Sequence, residues 1–122
     1  MKVLRIGIAS IDDFKARTIA IAKGRVKPKA GEPKIWFSSA QSLGKLIDEN
    51  WPLLQEIRRR PPRSMTELAG RTGRSLSNLS RTLKSLESRG LVSIEEGEGV
   101  SKRPVVTYDR IEVVTAAFAD AA

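Results

Sequence analysis

The chain has 122 residues, of which 40% are hydrophobic, and carries 22 Lys and Arg against 14 Asp and Glu, with no Cys and no His. That length suits one small domain with room for an appendage. The missing residue types exclude a disulfide framework, a thiolate metal site and the usual general base of catalysis. The net charge of +8 points to polyanionic partners.

Lys2 to Ala9 alternates loosely, with Val3, Leu4, Ile6 and Ile8 apolar, and predicts a strand. The apolar stretch is short, contains Arg5 and runs into Asp12-Asp13, so it is not expected to be a signal peptide. No apolar run has the length of a membrane span, and a cytoplasmic protein is the simplest expectation. Ser10 or Asp12 can cap a helix over about 13–23, with Phe14, Ile19 and Ala22 facing inward. The next stretch, Gly24 to Lys34, holds two prolines, two glycines and four Lys or Arg. It is either a solvated connector or a basic arm touching DNA, and its poor packing capacity favours the connector.

Ile35-Trp36-Phe37 is the densest aromatic patch and predicts a short strand or an anchor. Core packing of Trp36 is favoured over base stacking. Ser38 or Ser39 can cap a helix through about Ile47, and Asn50 a second one with Pro52 in its tolerant first turn. That second helix is expected to bury Trp51, Leu54 and Ile57, to end in Arg58-Arg59-Arg60 and to stop at Pro61-Pro62. The arginines complement the helix dipole and are placed to contact a DNA backbone.

Ser64 with Glu67 three residues on makes a capping box, so a short helix should begin at Met65 and stop near Thr72, before Gly73. Ser75 offers a second N-cap. Leu76, Leu79, Leu83 and Leu86 then follow at helical spacing, and Gly90 sits where a C′ glycine belongs. Two helices joined by a short Gly-containing turn predict a helix-turn-helix. Opposite the leucines lie Ser77, Arg81, Lys84 and Ser88, flanked by Asn78 and Ser85, with no acid among them. Such a face is either an ordinary solvated surface or one that meets base edges in a major groove.

Leu91 to Ile94 alternates like a strand, Glu95 to Lys102 is a polar Gly-containing loop, and Val105, Val106 and Tyr108 predict a second strand. The clustered Glu95, Glu96 and Glu98 lack basic or histidine partners for catalysis and belong to a solvated loop. Beyond them, Asp109 to Val114 is extended and Thr115 to Ala122 is alanine-rich, a frayed helix with Val113, Val114 and Phe118 free to dock. Charge is unevenly spread: residues 58–89 carry nine Lys or Arg and two acids, whereas residues 90–122 carry three and six. A basic field over one motif is the footprint of phosphate binding.

The run ELAGRTGRSLSNLSRTLKSLESRGLVSIEE resembles the winged helix-turn-helix transcriptional regulators of the MarR-like kind, over roughly residues 38–110. A narrower likeness, through Gly31-Glu32, Trp36-Phe37 and Pro104 to Asp109, is to small DNA-binding regulators of bacteria and archaea. That group is often encoded beside a toxin-like protein, which implies an antitoxin role. Many MarR-like relatives take small phenolic ligands in a long helical dimer region, much of which this chain lacks.

The fold expected is therefore α+β: a winged helix-turn-helix over residues 35–110, a small N-terminal strand-helix extension with a basic linker over 1–34, and a tail over 111–122 able to make a dimer contact. The expected function is a sequence-specific double-stranded DNA-binding regulator, a dimeric repressor, with neither enzymatic activity nor a cofactor. Arg81 and Asn78 are candidates for base edges, Arg74, Ser75, Ser77 and Lys84 for phosphates, and Lys102 and Arg103 for the minor groove or backbone. The alternatives are an antitoxin-type module that holds a partner toxin and an RNA-binding winged domain.

Overall fold

The computed structural model describes residues 2–25, 27, 33–97, 99 and 101–115. The elements run β1 (Val3–Ile8), α1 (Ile11–Ala22), β2 (Ile35–Phe37), α2 (Ala40–Arg59), α3 (Met65–Thr72), α4 (Leu76–Ser88), β3 (Ser93–Glu96), β4 (Lys102–Val105) and β5 (Arg110–Thr115). This is a mixed α/β chain, compatible with the α+β class. It divides into two compact units, one of residues 1–48 with 108–122 and one of residues 49–107. Most of the expected basic linker (residues 26 and 28–32, including Gly31 and Glu32), Glu98 and the alanine-rich tail from residue 116 on lie outside the described residues. Among the described residues, no helix is long and apolar enough to cross a membrane.

The first unit is built on a three-stranded sheet of order β2-β1-β5 in which β1 pairs parallel to both neighbours. Parallel neighbours need a crossover, and α1 supplies it between β1 and β2. Ser10 caps α1 by accepting from the Asp13 amide at 3.1 Å. Central Ile6 and edge Phe37 are buried on the same sheet face. Asp109 ties the starts of β1 and β5: its amide donates to the Lys2 carbonyl at 2.7 Å, and its carboxylate accepts from the Lys2 amide at 2.8 Å. Strands 35–37 and 110–115, assigned from sequence to the winged domain and the tail, thus belong to this sheet. Trp36 lies so close over Gly7 that a Cβ there would overlap the indole ring. Its Nε1 donates to the Pro33 carbonyl at 3.1 Å, a packed role for the indole. Tyr108 is buried, which pushes its hydroxyl up to about 12.

The inward face expected of α1 is not the one it uses. Phe14 is 41% and Ile19 52% exposed, Ala22 is exposed, and no residue of α1 is fully buried. Arg17, Ala20 and Ile21 are its most covered side chains. Phe14 reaches the Trp36 ring, with centroids 6.0 Å apart.

Residues 40–59 form one helix instead of two. Ser39 is its N-cap, accepting from the Ser42 amide at 3.1 Å, while Asn50 and Pro52 lie inside it. An internal proline forfeits a hydrogen bond and crowds the carbonyl four residues back, a cost of about 3 kcal/mol. Leu53, Leu54 and Ile57, each at most 3% exposed, immediately follow and offset that cost. Trp51, expected inside, is 37% exposed. Arg58 and Arg59 occupy the last turn, where cations complement the helix dipole.

In the second unit the capping serines act as the spacing predicts. Ser64 accepts from the Glu67 amide at 3.0 Å, and Glu67 reaches back to the Arg63 amide at 3.4 Å. Gly73 ends α3 with φ 71°, a left-handed conformation that a side chain would resist. At the other end of α4 the Leu91 amide donates to the Leu86 carbonyl at 2.9 Å and the Gly90 amide to Glu87 at 3.0 Å. This is a Schellman closure, with Leu86 and Leu91 both fully buried. Helix α3 packs on α4 and on β4. Strands β3 and β4 form an antiparallel hairpin in the register Glu95↔Arg103 and Glu96↔Lys102. Both strands are therefore shifted toward the loop, which is shorter than the alternation suggested: Glu95 and Glu96, expected in that loop without basic partners, pair across the ladder with Arg103 and Lys102. Val106 and Tyr108 lie past the strand, yet both are buried.

Candidate nucleic-acid interface

Ser75 starts α4 by accepting from the Asn78 amide at 3.2 Å. Its hydroxyl also shares a hydrogen bond with Ser77 Oγ at 3.5 Å, in which either oxygen can donate. Leu79, Leu83 and Leu86 are all 0% exposed and occupy a narrow arc of the helix, about 60° wide at roughly 100° per residue. Leu76 was expected to complete that arc. It is 50% exposed, and it lies in the first turn about 20° beyond the arc's edge.

The opposite face is open. Ser77, Asn78, Arg81, Lys84, Ser85 and Ser88 are all exposed, and Arg74 in the preceding turn is half-buried. Among the described residues Arg74, Arg81 and Lys84 take part in none of the ion pairs. Uncompensated cations on an exposed helix face leave a positive potential there. The structure thus brings Arg74, Ser75, Ser77, Asn78, Arg81 and Lys84 together on α4 and its leading turn. Lys102 and Arg103 stand apart on β4, and Lys102, expected at the end of the loop, is in the strand. Arg103 is engaged, its Nη2 lying 3.4 Å from Glu95 Oε2. Lys102 is exposed.

Reading the sequence missed one residue that positions this surface. Arg71 on α3 is largely covered and reaches Glu56 on α2, with Nη1 3.2 Å from Oε1, while Nη2 lies 3.7 Å from Glu67 on its own helix. Glu56 also accepts from Arg60 Nη2 at 2.8 Å. That hydrogen bond, with the Arg60, Arg71 and Arg59 charges, holds the Glu56 carboxyl below its ordinary range against a smaller opposing effect of burial. Arg71 therefore fastens α3 to α2. The four-residue spacing of Glu67 and Arg71 was a visible signal for half of this network, but nothing local marks Glu56 as its other partner.

A family model, HVO_A0114, matches residues 45–113, more than half of the chain. This chain belongs to the HVO_A0114 family. The matched segment contains the whole of the second unit, including every residue of the candidate interface. Membership therefore attaches to α3, α4 and the hairpin, with α2 from Lys45 onward and β5 to Val113, whereas residues 1–44 lie outside it. No curated protein and no solved structure matches the chain.

Proposed function

We propose that this member of the HVO_A0114 family is a sequence-specific double-stranded DNA-binding regulator with a winged helix-turn-helix, acting as a dimeric repressor. The observation that carries the reading is the two-sided chemistry of α4: three fully buried leucines behind an exposed face of serines, Asn78, Arg81 and Lys84. Helix α3, the turn Gly73-Arg74-Ser75 and α4 make the helix-turn-helix, and the β3–β4 hairpin makes the wing. The resemblance to MarR-like regulators supports the same reading.

In this mechanism α4 enters the major groove. The Arg81 fork takes guanine O6 and N7, and the Asn78 amide takes adenine N6 and N7. Arg74, Ser75, Ser77 and Lys84 hold phosphates and set the register of the helix. Lys102, with Arg103 behind its Glu95 pair, reaches the neighbouring minor groove or backbone. A dimer reads two half-sites about one helical turn apart, and repression follows from occupation of a promoter.

Selection of bound duplexes from a random pool tests this directly, since the enriched site reports specificity, symmetry and half-site spacing together. Arg81→Ala should then lose roughly 1–3 kcal/mol of discrimination at one base position. Equal weakening on all sequences would make Arg81 a phosphate contact. No enrichment at all would refute the function.

A second reading, a module that holds a partner toxin, is favoured by the first unit, where α1 leaves Ile11, Phe14 and Ile19 exposed and β5 leaves Val113 exposed. Co-purification of a neighbouring gene product that is lost on Phe14→Asp would support it. Unchanged recovery would count against it.

A further inference from the structure

The exposed leucine at the head of α4 has no counterpart on that helix. Leu79, Leu83 and Leu86 are completely buried, yet Leu76 keeps half its surface in water. A single exposed leucine is ordinary on a protein surface. Its place is what matters here. Leu76 is the first residue of α4, directly after the capping Ser75 and directly before Ser77 and Asn78, all of them exposed. Residues in the first turn of a helix docked in a major groove are the ones nearest the base edges. Every other exposed side chain of this turn offers hydrogen-bonding groups, so Leu76 supplies its one apolar surface.

In the major groove the only apolar group that a base presents is the C5-methyl of thymine. We infer that Leu76 is a specificity-determining residue that packs against a thymine methyl in each half-site. The inference rests on the DNA-binding reading and goes beyond it, because it assigns a base preference to an apolar side chain outside the polar face. Cytosine carries an N4 amine and no methyl at that edge, so it leaves Leu76 against a polar group and is disfavoured. The hydroxyl of Ser77, the next residue and likewise exposed, is placed to satisfy a flanking polar edge.

The test removes the methyl and nothing else. Each thymine of the selected duplex is replaced in turn by uracil, which keeps the same hydrogen-bonding edge. Wild-type protein should lose affinity about fourfold at one position per half-site, the worth of burying one methyl group at about 0.8 kcal/mol. Leu76→Ala should bind the thymine duplex about fourfold more weakly and be indifferent to uracil at that same position. If wild type and Leu76→Ala respond alike to uracil at every position, the inference is overturned while the DNA-binding reading stands. If Leu76→Ala instead changes the oligomeric state and leaves the uracil profile intact, Leu76 is a subunit contact and the inference is likewise overturned. Failure to select any duplex removes both. Circular dichroism and a urea midpoint near that of wild type show that Leu76→Ala is folded, as its exposure predicts.

Discussion

Two leucines of α4 that look equivalent in sequence should behave differently when truncated. Leu83 is 0% exposed and Leu76 is 50% exposed. Leucine to alanine removes three carbons, worth roughly 2.4 kcal/mol of transfer free energy at about 0.8 kcal/mol each when burial is complete. At Leu83 the covering side chains close only part of the void, so the total should fall between about 2.7 and 5 kcal/mol. At Leu76 water already touches half the side chain and no enclosed cavity forms, so the loss should not exceed about 1.2 kcal/mol. Urea unfolding followed by Trp51 fluorescence reports the second unit, with Trp36→Phe as background because the chain has two tryptophans. The midpoint should drop far more for Leu83→Ala than for Leu76→Ala at an unchanged denaturant slope. Losses within about 0.5 kcal/mol of each other, inside the usual scatter of additivity, would refute the reasoning. Leu76 would then be packed as deeply as Leu83, and its availability to any partner would fall with it.

Lys102 is exposed on β4 while Arg103 is paired with Glu95, so Lys102→Ala should lower the slope of log affinity against log salt by about one and Arg103→Ala by less. An unchanged slope for Lys102→Ala would take the hairpin out of the interface. Glu56 ionises more readily in the folded chain than its ordinary value of 4.5, so its stabilising contribution is present above that value and is lost as pH falls through the lower folded one. Urea midpoints measured through this acid range should therefore fall more steeply for wild type than for Glu56→Gln, and parallel curves would contradict the Glu56–Arg60–Arg71 network. Gly7→Ala should cost about 1–3 kcal/mol, because its methyl overlaps the Trp36 ring and neither strand can yield freely. Thermal unfolding of Gly7→Ala with Trp36→Val should recover most of that loss, and additive losses would show the clash to be absent.

The second unit was largely legible because its signals are short-range. Ser64 and Ser75 lie three residues from the amides they cap, and Gly73 and Gly90 stand where helices must turn left-handed. The spacing of Leu79, Leu83 and Leu86 alone marks the buried side of α4, and the polar residues opposite follow from the same period. The candidate interface was readable for this reason. Leu76 escaped because periodicity assigns a direction around the helix and carries no information on where the covering layer ends.

What only the tertiary structure decided is everything that depends on partners far along the chain. β5 pairs with β1 in parallel across more than a hundred residues, a choice that no local pattern in either strand expresses. The same holds for the continuity of α2 through Pro52. Locally a proline argues for a break, and it is the burial of Leu53, Leu54 and Ile57 that overrides it. Arg71 meets Glu56 from fifteen residues away, and only the path of the chain between α2 and α3 brings the two charges together. Sequence by itself determined where α3 and α4 start and stop and which side of α4 is apolar, because caps and helical period act within a turn or two, whereas it misplaced the inward face of α1 and split α2 in two. The assembly of those pieces was settled by non-local burial, whose free energy outweighs local preference whenever the two conflict.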